Sequence, residues 1–206
     1  MKIKEKLTNL TKKAKESKIF LLFSILYSFI WGTCKIIFGF ITSAYFFAVS
    51  GATTLIFGFI KNIYSKNFKT ESLKNKQKKS INISILLLIS SFLFTFYMSR
   101  LFFIPENSNY GLILSITIAT FSFTELSISI YNFFKAKKTT DILLQSFRCY
   151  NLVSSSFAIV LTQVALLSAT NTPSPFFNAL TGVCFGFFSI LIAIYILLKS
   201  LKTKNV

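Results

Sequence analysis

Six long apolar stretches, separated by loops that alternate between lysine-rich and lysine-free, constrain this chain more than any other feature. A transmembrane helix needs about 20 mostly apolar residues. The stretches are span 1, Ile19 to Phe40; span 2, Ser43 to Tyr64; span 3, Ile83 to Ile104; span 4, Gly111 to Phe134; span 5, Ile142 to Ala169; and span 6, Phe176 to Leu198. The expected fold is therefore all-α: a polytopic membrane protein with six transmembrane helices in three hairpins. Residues 1–18 form a basic N-terminal segment, 19–198 the six-helix domain and 199–206 a basic C-terminal tail.

The lysines set the expected orientation. Of 23 basic residues, 20 lie in Met1 to Lys18, at Lys61 and in the 65–80 loop, in the 135–141 loop, or in the tail. The alternate loops, near Gly39 to Ser43, Pro105 to Tyr110 and Thr170 to Pro175, contain no Lys or Arg. Loops rich in Lys and Arg stay in the cytoplasm. Both termini are then inside, and the expected location is the cell membrane, crossed many times. The net charge of +17 raises nucleic acid as a partner, but its placement beside apolar spans points to topology and lipid contact instead. The partners expected are the bilayer and anionic lipids at the cytoplasmic face, with a homo-oligomer or a membrane partner as further possibilities.

Two segments test the helical reading. Ser115 to Ala119 and Ser127 to Ile130 in span 4 alternate like a strand. An open strand cannot leave its backbone groups unpaired in lipid, so helix is expected there too. At the N-terminus, Ile3, Leu7, Leu10 and Ala14 fall at helical spacing with lysines on the other face. Two readings fit: an interfacial helix on anionic lipid, or a disordered tail. The apolar run after it is too long for a signal peptide, so the segment is expected to be retained.

Ionisable residues inside a span are costly and carry functional weight. Glu125 lies about 14 Å in from Phe134, and Arg148 about 9 Å in from the start of span 5, at a rise of about 1.5 Å per residue. Both fall in the inner half, on spans joined by a short loop. Ser115, Ser122 and Ser129 recur every seven residues on span 4, with Glu125 and Asn132 on their broad face. Asp141, Arg148, Ser155 and Thr162 do the same on span 5, near Gln145 and Asn151. Glu125, Arg148, Asn132 and Gln145 are thus the candidate intramembrane polar site. It reads either as a buried ion pair that fixes helix register or as a substrate or ion site. Lys35 and Arg100 sit near the outer ends of spans 1 and 3, where long stems snorkel to headgroups; the alternative is a positive outer mouth that attracts anions.

Small residues recur at helix-packing intervals: Ala44, Ala48, Gly51 and Gly58 on span 2, and Ala179, Gly182, Gly186, Ser189 and Ala193 on span 6. They let backbones approach closely, within the chain or between two copies. Trp31 and Tyr110 are placed as interfacial anchors. There is no histidine, which removes His-based triads and His-ligated zinc. Cys34, Cys149 and Cys184 lie inside apolar spans without a CxxC neighbour. No cofactor, metal or catalytic residue is expected, and the chain does not read as an enzyme.

Three patterns together carry a resemblance. They are Trp31 to Gly39 (WGTCKIIFG) followed by Ser43, Gly58 to Lys61 (GFIK), and Asn178 to Gly182 (NALTG) with Gln163 upstream. In this order the chain resembles an uncharacterised family of small six-helix membrane proteins from low-GC Gram-positive bacteria. The resemblance implies the same architecture and transfers no functional residues. Two functions remain open. One is a small transporter, or the substrate-binding subunit of one, which the size and polar seams favour. The other is a non-transporting accessory or structural protein that binds a membrane partner or lipid, which the small-residue faces and basic surface favour.

Overall fold

The computed structural model describes residues 2–41, 45–65, 72–104, 112–137, 141–170 and 174–202; of 2–18 and of several side chains on the fourth helix only the backbone is described. The elements are six helices in chain order: α1 Lys2–Ile41, α2 Tyr45–Ser65, α3 Leu73–Arg100, α4 Leu112–Lys137, α5 Ile142–Ala169 and α6 Pro175–Lys202. The alternating Ser-Ile segments of span 4 lie on a helix, not a strand. Among the described residues four helices are long and apolar enough to cross a membrane: Leu21–Ile41, Leu73–Arg100, Ile142–Leu167 and Pro175–Lys202.

The helices outrun their apolar spans. α3 begins at Leu73, in the lysine-rich loop, well before Ile83. Lys, Gln and Leu are good helix formers, so nothing local stops the helix where the apolar run stops. α1 likewise runs without a break from the basic N-terminal segment into span 1. Helix ends are set by specific groups. Pro175 opens α6 at the first helical position, where a missing N–H is harmless. Asp141 caps α5: its Oδ1 accepts from the amides of Leu143 and Leu144 at 3.0 and 3.3 Å. α3 closes in a tighter turn, the amide of Leu101 donating to the Met98 carbonyl at 3.2 Å.

α2, α3 and α5 pack against one another, and α6 packs on α3 and α5. Among the described residues α1 touches only α2, and α4 touches only α5. The centre is aromatic. Phe94 of α3 stacks on Phe157 of α5 with ring centroids 4.0 Å apart, and Phe57 of α2 lies against Phe157 and Tyr150. Ile83, Leu87, Met98, Val153 and Val160 complete a core with no exposed surface.

Small residues decide how closely the pairs approach. A Cβ on Gly51 of α2 would meet the Gly32 carbonyl of α1 at 2.7 Å. On α6, Ala179, Gly182, Gly186, Ser189 and Ala193 are all buried. A Cβ at Gly182 would collide with Met98, and one at Gly186 with Thr95. That face of α6 is thus filled by α3 of the same chain.

Candidate functional site

The best-defined polar cluster joins the N-terminal parts of α3 and α5 to the C-terminal end of α6. Ser80 shares hydrogen bonds with Ser146 of α5 and with Ser200 of α6, and all three are fully buried. One turn away, Gln77 Nε2 donates to the Ser200 carbonyl at 2.8 Å. Reading the sequence for ionisable residues passes over this cluster. Its signal was the run Gln77, Ser80, Ser84 and Ser91, which keeps one face of α3 at intervals of three, four and seven residues.

Beside it lies a charged junction. Lys76 Nζ of α3 is 2.7 Å from Asp141 Oδ2, with the side chains 30% and 37% exposed. Burial is the largest single influence on Asp141 and would raise its pKa. The hydrogen bond from Lys76, the amides of Leu144 and Leu143, and the Lys76 charge together outweigh it, leaving the carboxyl below its ordinary 3.8. Tyr64 of α2 is within electrostatic range of Asp141, Lys76 and Arg148, and its ring stacks on Phe147 at 4.0 Å.

Arg148 is half-buried on α5, and Gln145, one turn earlier, is buried. Gln145 precedes Ser146 in the chain, and Arg148 shares Tyr64 as a neighbour with Asp141 and Lys76. Glu125 and Asn132 belong to α4 by backbone, but their side chains lie outside the described residues, as does any pairing of Glu125 with Arg148. On α4, Ser129 is buried and α5 is its packing partner.

Lys35 and Arg100 each lie against a neighbouring helix or ring. Lys35 Nζ donates to Ser50 Oγ of α2 at 3.2 Å and stands 5.9 Å from the Trp31 ring centroid. The Arg100 guanidinium lies over Tyr45 at 5.3 Å and Tyr97 at 6.0 Å, across the α2–α3 junction. Lys61 was grouped in sequence with the loop lysines. It lies between α1 and α2, donating to Ser24 Oγ at 2.9 Å and Ser28 Oγ at 2.8 Å.

Deeper in the bundle the hydroxyls turn back on their own helices. Ser84, Ser90 and Thr95 of α3, Ser155, Ser156 and Thr162 of α5, and Ser189 of α6 each donate to a carbonyl three or four residues earlier. In this way a serine or threonine hydrogen is satisfied without a neighbour. Ser91 Oγ and Asn178 Oδ1 are the buried side-chain atoms left without a partner among the described residues. Asn178 sits in the first turn of α6, next to Phe177, whose carbonyl accepts from Gln163 Nε2 at 3.2 Å.

Chemically, this arrangement offers hydroxyls, amides and lysine ammonium groups, which bind anions and hydrogen-bonding groups. Among the described residues no three His, Cys, Asp or Glu side chains gather as metal ligands would. Compared with known protein families, curated proteins and solved structures, the chain matches none.

Proposed function

We infer that the chain is a six-span membrane protein with both ends in the cytoplasm. It acts by binding a membrane partner or lipid on its surface, without carrying a solute through its axis and without catalysis. The observation that carries this reading is the filled centre: the Phe57, Phe94 and Phe157 rings occupy the space where α2, α3 and α5 meet. Hydroxyls above and below them are spent on their own helix carbonyls. The four apolar helices and the lysine asymmetry support the spans and their direction. Exposed Lys74, Lys78 and Lys202 support a cytoplasmic face that attracts anionic lipid.

A second reading, a small transporter or the substrate-binding subunit of one, draws on Ser91 Oγ and Asn178 Oδ1. Buried atoms without partners are positions where a solute or water gains a bond.

Cysteine accessibility separates the two. Single cysteines at Ser91, Ser155 and Asn107 are placed in a chain with Cys34, Cys149 and Cys184 replaced. A membrane-impermeant thiol reagent is applied before and after permeabilisation. Asn107→Cys is expected to react from outside, while Ser91→Cys and Ser155→Cys stay unlabelled from either side. Ready labelling of Ser91→Cys would give the case to transport. Reaction of Asn107→Cys only after permeabilisation would reverse the orientation.

A further inference from the structure

Arg100 is the last residue of α3, and it stands against Tyr45, the first residue of α2. Its guanidinium lies 5.3 Å from the Tyr45 ring centroid and 6.0 Å from that of Tyr97, a turn earlier on its own helix. A ring face attracts the charge but offers no oxygen lone pair. The carbonyls closest in sequence, those of Met98, Ser99 and Arg100, already accept from the amides of Leu101, Phe102, Phe103 and Ile104. Among the described residues the guanidinium has two rings for company and no carboxylate or hydrogen-bond acceptor. It belongs to a half-buried side chain and carries five N–H donors in a planar fork. Donors withdrawn from water in this way are ordinarily matched by oxygen.

Position says what kind of oxygen fits. Arg100 sits on the border between two faces of α3. Tyr97, on one side, is buried, whereas Phe96 and Phe103, on the other, are 80% and 85% exposed. With α3 as a membrane span, its lysine-rich start faces the cytoplasm and Arg100 reaches the opposite headgroups. Phe96 then lies about 6 Å deeper, at the helical rise, among acyl chains. A cation at headgroup depth above an exposed apolar edge matches an oxyanion that carries hydrocarbon with it. We propose that Arg100, held over Tyr45 and Tyr97, is a binding site for the phosphodiester of an anionic phospholipid of the outer leaflet, an acyl chain lying along Phe96. The fork takes two phosphate oxygens at once, and such charge-assisted bonds are about twice as strong as neutral ones. The site rests on the six-span, lipid-binding reading above and gives it a defined position on the face opposite the lysines.

The test reads lipid contact at that one position. Trp31 is the only tryptophan, so Phe96→Trp in a Trp31→Phe chain leaves a single indole beside the site. Acyl-brominated phosphatidylglycerol, diluted into phosphatidylcholine vesicles and compared with brominated phosphatidylcholine, quenches it in proportion to local occupancy. Phosphatidylglycerol is expected to be preferred about five-fold, the order of effect of one basic residue near the surface. Arg100→Gln is expected to bring the preference to about one-fold. Arg100→Lys keeps the charge without the fork and serves if Arg100→Gln does not fold; it is expected to lose about half of the preference or more, and full retention would overturn forked recognition. Phe187→Trp in the same background, at an exposed position of α6, is the control; a preference there that also falls with Arg100→Gln would make the effect one of overall charge and overturn the site. Glu106, six residues on, lies outside the described residues. Glu106→Gln is expected to leave the preference unchanged, and a several-fold rise would mean that this carboxylate occupies the fork, against the proposal. Excess inorganic phosphate at matched ionic strength is expected not to abolish the preference; if it does, this is a free-oxyanion site and not a lipid site. A preference of about one-fold before any change at Arg100 removes this site alone. The lipid-binding reading falls only if the purified chain also retains phosphatidylglycerol and phosphatidylcholine equally.

Discussion

The α1–α2 pair and the α3–α6 pair are both drawn together by glycines, yet they are fastened in opposite ways. Lysine–serine bonds tie α1 to α2 toward each end, Lys35 to Ser50 and Lys61 to Ser24 and Ser28. α3 and α6 are tied by neutral groups, Gln77 and Ser80 on Ser200. The difference follows position. α6 also packs on α5, so its seam with α3 is enclosed, and Ser80 and Ser200 have no exposed surface. A charge there would lose its hydration on every side, which costs several kcal/mol per ion even after relaxation. Among the described residues α1 has one neighbour, so a lysine between it and α2 keeps one side open. Hydroxyls and amides build the enclosed seam; cations are admitted where a counter-ion can reach them.

Both pairs have glycines with no room for a Cβ, Gly51 against the Gly32 carbonyl on one side and Gly186 against Thr95 on the other, so enclosure is tested away from the tightest points of α1–α2. Gly186→Ala puts a Cβ into Thr95, whose backbone leaves it little room to retreat. The expected loss is about 1 to 3 kcal/mol, the usual cost of overpacking. Gly58→Ala on α2 meets Phe29 and Ser28 at 3.4 Å, ordinary contact, and is expected to stay within about 0.5 kcal/mol. Thermal unfolding in detergent reads both. Equal losses would mean that α1–α2 near Gly58 is as tightly enclosed as α3–α6 near Gly186.

The small-residue face of α6 was legible in the sequence because its period is local: Ala179, Gly182, Gly186, Ser189 and Ala193 follow one helix surface. What fills that face was not. α3 and α6 are far apart in the chain, and no spacing rule pairs Gly186 with Thr95. The same gap hid a second polar seam. Adjacency suggested that spans 4 and 5 would join through Glu125 and Arg148, and α4 does pack on α5. The hydrogen bonds described most fully, however, run from α5 to α3 and α6 through Ser146 and Ser80. Serines look unremarkable in an apolar run until a second helix brings its own serine against them. The six apolar stretches, by contrast, each fall mainly on one helix, because length and hydropathy are properties of one segment; span 3 alone among the described ends runs past its helix, which stops at Arg100 before Ile104. Lys61 was legible as a charge and hidden as a contact, since its direction depends on where α1 lies.

The Lys76–Asp141 junction sharpens the comparison with a lysine that does have an acid. Asp141→Ala removes the cap of α5, about 1 kcal/mol, and a half-exposed ion pair, up to about 1 kcal/mol. Lys76→Met removes only the second, so it should cost less. The Asp141 pKa is lower in the folded protein than the ordinary 3.8. Its stabilisation is therefore present above the unfolded pKa of about 3.9 and is lost as pH falls through the folded value. Melting of wild type and Asp141→Asn from pH 6 downward should show a gap that closes below about pH 4. A gap that persists unchanged into stronger acid would mean that the carboxylate charge is not what stabilises the junction.

The smallest effect is expected at Lys35. Its bond to Ser50 is long at 3.2 Å, and Trp31 lies 5.9 Å from the ammonium, near the limit for a cation over a ring. The stem is half-buried, and methionine fills nearly the same volume. Lys35→Met should therefore cost about 0.5 kcal/mol or less, since a long bond from a partly hydrated cation to a neutral hydroxyl contributes little net stability. Ser50 does not become an isolated group on its helix, because its carbonyl still accepts from Thr53 and Thr54 at 2.9 and 2.7 Å. Thermal unfolding of Lys35→Met beside Gly186→Ala puts the two pairs on one scale. A loss at Lys35 as large as at Gly186 would show that the Lys35–Ser50 bond holds α1 to α2 as firmly as packing holds α3 to α6, and the contrast between charged and neutral fastening would lose its basis in enclosure.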